Sequence, residues 1–145
     1  FLAPPGLPPA AIAPLTRVLI RLPNRLVWWD PRLREALEGP EHAHRRFATH
    51  SLGWVMAIGI ETFDQSLERP PAAGRVIMVN SAADVAISLR RAEALAANWE
   101  RLAPEKVTEV MFPADLRIPH DMIDPTQREA RTDLVYPELI RLLEQ

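Results

Sequence analysis

The sequence predicts an α/β fold built on parallel strands, and three observations carry that expectation. Val76-Ile77-Met78-Val79 is a continuous apolar run without alternation, the pattern of a strand covered on both faces, as in parallel sheets. In the next stretch, roughly Ser88 to Leu102, the residues Leu89, Ala92, Leu95, Ala96, Trp99 and Leu102 recur at helical spacing. A second extended run, Val107 to Phe112, leads through Pro113 into Ile118-Pro119-His120-Asp121. Strand, helix, strand in this order reads as a crossover unit with parallel strands. Parallel sheets carry their functional loops at the carboxyl ends of the strands. Asp84 follows the first strand and His120 follows the second, which sets both on one rim. A carboxylate there would hold an imidazole in one tautomer and stabilise its charged form.

Taken in order, Phe1-Leu2-Ala3 before Pro4-Pro5 reads either as the tail of a strand or as a flexible proline-rich terminus. Ala11 to Leu22 forms a short amphipathic helix, with Ile12, Leu15, Val18, Leu19 and Leu22 on one stripe and Pro14 best placed in the first turn. Pro31 to Leu37 forms another, with Asp30 as N-cap and Pro31 at the first helical position. Between them lies Leu26-Val27-Trp28-Trp29; paired tryptophans commonly anchor such a segment by the area they bury. His42, His44 and His50 raise a metal site, but residues two apart diverge on a helix and no acidic residue completes a ligand spacing. A solvated loop is the expectation, with no metal.

Thr49 to Leu67 is the strongest helix, with Thr49 as N-cap and Leu52, Val55, Met56, Ile60, Phe63 and Leu67 on one face. Its start, Thr49-His50-Ser51-Leu52-Gly53, imitates a nucleophile elbow with the first glycine replaced. A true elbow follows a strand, and residues 41–48 are polar and promise none. Pro70-Pro71-Ala72-Ala73-Gly74 breaks the helix and launches the apolar strand. The Val107–Phe112 strand alternates and reads as half covered, nearer the sheet edge. Thr132 to Leu143 is a closing helix that Pro137 begins or kinks.

Two of these stretches, Val76-Ile77-Met78-Val79-Asn80-Ser81-Ala82-Ala83-Asp84 and Leu116-Arg117-Ile118-Pro119-His120-Asp121, together resemble the C-terminal third of an α/β-hydrolase. In that family the chain order is nucleophile, acid, histidine. The resemblance implies Asp84 as the acid and His120 as the base, and the 36 residues between them (120 minus 84) leave room for one helix and one strand. It implies the C-terminal half of an α/β-hydrolase fold, with parallel strands, flanking helices and a helical cap segment. On this division residues 1–9 are the end of a sheet strand and a loop, 10–68 are cap-like, and 69–145 are the βαβα part of the core. Under the cap reading Trp28 and Trp29 line an acyl or leaving-group pocket.

No G-x-S-x-G occurs in the chain. Ser51 precedes Asp84 by 33 residues (84 minus 51), too few for the elements the family places there. Asp121 is adjacent to His120 and poorly placed to reach its ring, and Asp124 before Pro125 reads as a turn cap. The chain begins at Phe1 and lacks an elbow, so the expectation is the C-terminal half of a longer polypeptide. Its serine and oxyanion-hole amides would then lie upstream. The implied function is a serine hydrolase of the carboxylesterase, lysophospholipase or serine-peptidase type. It would act on a small-molecule ester or acyl substrate and use no cofactor. The alternative is a non-catalytic hydrolase-like domain that serves as a binding or interaction module. A Val76–Val79 strand apolar on both faces needs neighbours on both edges, which implies pairing with the missing N-terminal half or self-association.

Composition bounds the rest. A chain of 145 residues, 48% hydrophobic and 25% charged, suits one globular domain with a core. A formal net charge of −2 argues against a general nucleic-acid binder. Cysteine is absent, which excludes disulfides, thiolate metal sites and a cysteine nucleophile. No apolar run approaches the roughly 20 residues that span a bilayer, no signal peptide is visible, and a cytoplasmic location is the expectation.

Overall fold

A computed structural model describes residues 8–28, 46–126 and 129–144. The readings made on Phe1-Leu2-Ala3, Trp29, the Pro31–Leu37 helix, His42 and His44 lie outside the described residues. Eight main elements follow in order: α1 (Pro9–Arg21), β1 (Leu26–Trp28), β2 (Arg46–Ala48), α2 (Thr49–Ser66), β3 (Val76–Ser81), α3 (Leu89–Leu102), β4 (Val107–Phe112) and α4 (Thr132–Leu143). The protein is thus broadly α/β, with four helices, a short parallel two-stranded sheet and a small antiparallel ribbon among the described residues. No helix among the described residues is long and apolar enough to cross a membrane.

β3, α3 and β4 form the expected crossover. The strands pair in parallel from Val76 opposite Val107 to Ser81 opposite Phe112. α3 buries Ala92, Leu95 and Ala96 from its apolar stripe. Beyond β4, Phe112, Ile118 and Val135 form a buried cluster, with Val79, Leu116, Met122 and Leu139 packed against it. α4 therefore covers the strand ends. The Arg75 guanidinium at the start of β3 donates to the Leu142 carbonyl at the far end of α4 (2.8 Å).

The apolar run of β3 differs from expectation. Val76 to Val79 are only partly buried, and burial deepens at Asn80 and Ser81. Among the described residues β3 has a strand neighbour on one edge only, so the run is covered less than a central strand would be.

The N-terminal half departs further. Residues 41–48 promised no strand, yet Arg46–Ala48 pairs antiparallel with Leu26–Trp28, Val27 lying opposite Phe47. Backbone pairing does not require apolar side chains, and the partner segment lies about 20 residues upstream, beyond any local pattern. α1 starts at Pro9, where a missing N–H costs nothing, and this carries Pro14 into the helix interior instead of its first turn. Pro137 likewise lies inside α4 and does not begin it.

Thr49 is the first residue of α2, not its N-cap. The cap comes from afar: Asn24 Oδ1 accepts the His50 N–H (3.1 Å) and the Arg25 carbonyl accepts the Thr49 N–H (2.9 Å). The buried face of α2 is also rotated from the apolar stripe. Gly53, Met56 and Ser66 are buried, whereas Val55 and Leu67 are 53% and 49% exposed. Gly53 explains the rotation, because a Cβ there would stand 2.8 Å from Ile20 Cγ1. Its absence lets α1 pack close. Lower down, Ser66 Oγ accepts a hydrogen bond from Asn98 Nδ2 (2.9 Å) and holds α2 to α3.

Candidate active site

The site is built at the carboxyl ends of β3 and β4. Past the last paired residues, the Ala82 N–H donates to the Phe112 carbonyl (2.9 Å), and the Asp84 N–H turns back to the Ser81 carbonyl (3.0 Å). That turn points the Asp84 carboxylate inward, with a side chain only 3% exposed. Its Oδ1 accepts the Ala86 N–H at 2.7 Å. Its Oδ2 lies 2.7 Å from His120 Nδ1. Both carboxylate oxygens are therefore engaged, and the carboxylate has one rotamer in which to meet the ring.

The loop that presents His120 is tied to the same strand end. Ser81 is fully buried; its hydroxyl donates to the Ile118 carbonyl (2.8 Å) and accepts the Ala83 N–H (3.2 Å). The Ser81 side chain thus straps the acid turn to the histidine loop. The loop leaves β4 through a single turn of 3-10 helix, Ala114–Leu116, and reverses at Arg117, whose φ of 50° is the only positive value among the described non-glycine residues. Arg131 Nη1 donates to the Leu116 carbonyl (3.1 Å) and the Tyr136 hydroxyl to the Ile123 carbonyl (2.9 Å), so α4 and the N-cap residue before it grip the loop on both sides of His120. Asp124 Oδ1 accepts the Thr126 N–H (2.8 Å), the turn-capping role expected of it.

A carboxylate is an acceptor only, so Nδ1 of His120 carries the proton and Nε2 the lone pair. The His120 side chain is 46% exposed, and Nε2 forms no hydrogen bond to a described residue. The arrangement is a solvent-reachable base whose orientation and tautomer are set by a buried carboxylate. Chemically it can accept a proton at Nε2 while Asp84 stabilises the imidazolium.

The other candidates fall elsewhere. Trp28 ends β1 opposite Arg46; its side chain, like all of Trp29, is outside the described residues. Ser51 lies exposed in the first turn of α2. A strand does precede it, contrary to expectation, but its backbone is helical and lacks the sharp, strained turn of an elbow. His50 Nε2 lies 2.6 Å from the Leu22 carbonyl, a link between α1 and α2. No group of three or more His, Asp or Glu among the described residues is placed to hold a metal ion. Ser81 and Arg131 also belong to the site, and sequence reasoning misses both. A serine closing an apolar strand was the one signal for the first, and the second has no local signature.

No family model, curated protein or solved structure matches the chain. The meaning of the site therefore rests on its geometry.

Proposed function

We propose that Asp84 and His120 are the acid and base of a Ser–Asp–His triad in a serine hydrolase, and that this chain is the C-terminal half of its α/β-hydrolase fold. The observation that carries the reading is the 2.7 Å contact from Asp84 Oδ2 to His120 Nδ1, made between loops at the carboxyl ends of two adjacent parallel strands. His120 Nε2 removes the proton of an incoming serine hydroxyl as the oxygen attacks an ester or related acyl carbon. The same proton then passes to the leaving group. In the second half-reaction His120 activates water, and the acid product departs. Asp84 stabilises the imidazolium in both halves.

The serine and the oxyanion donors come from sequence upstream of this chain, and the edge of β3 that has no strand neighbour among the described residues is where the remaining strands join. A small-molecule ester or acyl compound is the substrate. A second reading, a hydrolase-like binding module without a nucleophile, is favoured by one observation: no described serine sits at an elbow.

Fluorophosphonate labelling, read by intact mass, separates these readings. The proposal expects no adduct on this chain alone and a single adduct on the longer gene product. An adduct on the isolated chain would place the nucleophile here and refute the division of labour. No adduct on either would favour the binding module.

A further inference from the structure

Charge is unevenly spread along the chain. The formal net charge is −2, yet residues 8–28 hold Arg17, Arg21 and Arg25 and no Asp or Glu. Residues 46–60, which form β2 and most of α2, add Arg46 and again no acid. Within this acid-free unit α1 packs one side inward. Ile12 and Thr16 are buried, and Leu19 and Ile20 lie against Gly53 of α2. The other side of α1 is open to solvent.

Two rows run along that open side. Arg17 and Arg21 stand one helical turn apart, and both are exposed. Val18 and Leu22, the neighbouring row, are 49% and 53% exposed. Just past the helix end Arg25 and Leu26 repeat the pairing, again exposed. None of the three arginines forms an ion pair with a described residue. A guanidinium row beside an aliphatic row suits a helix that lies flat in a membrane interface. The aliphatic side chains enter the acyl boundary, and the arginines reach back along their stems to the phosphates. A nucleic acid would satisfy the guanidinium row alone and leave Val18 and Leu22 against a hydrophilic backbone. Single strands are held on aromatic side chains, and α1 has none.

We infer that the open face of α1 docks on an anionic bilayer surface, with Arg17 and Arg21 on lipid phosphates and Val18 and Leu22 entering the acyl boundary. The helix lies in the surface and does not cross it, since its 13 residues fall short of the roughly 20 that span a bilayer. The attraction is local. A chain of net negative charge is repelled as a whole by such a surface, so a segregated basic patch is what holds it there. The inference uses no residue of the acid and histidine loops and stands apart from the catalytic reading.

The test uses this chain as it is, in flotation with vesicles of equal parts phosphatidylglycerol and phosphatidylcholine and, in parallel, of phosphatidylcholine alone. Each arginine at an anionic surface contributes about fivefold, so the mixed vesicles should bind at least about tenfold more tightly, and added salt should release the chain. Arg17→Gln with Arg21→Gln should weaken binding to the mixed vesicles about twentyfold. Arg69→Gln with Arg90→Gln makes the same charge change at exposed positions elsewhere and should weaken it less than about threefold. Val18→Ser with Leu22→Ser should weaken it about tenfold. No binding to the mixed vesicles, equal affinity for the two vesicle types, or an Arg69 and Arg90 pair that matters as much as Arg17 and Arg21 would overturn the inference. So would a double-stranded oligonucleotide bound as tightly as the mixed vesicles. An apolar pair whose loss leaves vesicle binding intact and dissolves a dimer would also overturn it, making the face an interface between copies. The comparison of the two vesicle types on the unaltered protein decides the matter even if a variant fails to fold.

Discussion

Replacing Ser81 with alanine tests the strap between the acid turn and the histidine loop. Ser81 and Ile118 are both fully buried, and the hydroxyl donates to the Ile118 carbonyl at 2.8 Å. Removing the hydroxyl leaves that carbonyl without this partner in a site closed to water. The lost bond is worth about 1 kcal/mol net, and a buried polar group left unpaired raises the total to about 1–3 kcal/mol. The Ala83 N–H, only partly buried, loses a weaker 3.2 Å bond that water can replace, so its contribution is small. A loss of about 2 kcal/mol is therefore expected, which lowers the thermal midpoint by roughly 4–8 °C in a chain of this size. Urea unfolding followed by circular dichroism measures it. A loss below about 0.5 kcal/mol, the range of an indifferent surface change, would refute the reasoning and show that the histidine loop is held by other means.

Other expectations follow from single contacts. At Gly53 a Cβ would meet Ile20 Cγ1 at 2.8 Å and the Ile20 amide nitrogen at 3.3 Å. Overpacking of about 1–3 kcal/mol outweighs a gain in helix propensity of at most about 1 kcal/mol, so Gly53→Ala should destabilise in urea unfolding. Gly74→Ala, with open space at the Cβ and no left-handed backbone, should stabilise by up to about 1 kcal/mol through the unfolded chain. Hydrogen bonds from the Arg141 guanidinium hold the partly exposed Glu138 carboxyl below its usual range. That contribution is present above the unfolded carboxyl's range and fades as pH falls through the folded value; the thermal midpoints of wild type and Glu138→Gln should therefore converge in acid. One edge of β3 has no strand neighbour among the described residues and such an edge is a template for another strand, so the isolated chain should run as a dimer or larger in sizing with light scattering, and a stable monomer at micromolar concentration would oppose this.

The parallel unit was legible because its signals are local. Four unbroken apolar residues before Asn80 marked β3, and helical spacing from Leu89 to Leu102 marked α3. With those elements in place, Asp84 and His120 had to emerge at the same end of neighbouring strands, and the structure sets them in contact. The parts that could not be read depend on partners distant in the chain. Asn24 caps a helix that begins 25 residues later (49 minus 24). Arg46–Ala48 becomes a strand only because Leu26–Trp28 lies alongside it. The buried face of α2 is chosen by the missing side chain of Gly53, and a hydrophobic stripe weights only the side chains that are present. Ser81 looked like the end of a strand; that its hydroxyl spans to Ile118 follows from the return of a loop 37 residues on.

The most direct test of the catalytic reading is ester hydrolysis by the full-length gene product, with p-nitrophenyl butyrate as substrate, comparing wild type with Asp84→Asn and His120→Asn. If Asp84 orients and His120 transfers the proton, each variant should fold normally and lose about 10³–10⁵-fold in kcat/KM, and the double variant should lose little more than the worse of the two. Variants that keep activity within about tenfold of wild type would contradict the account.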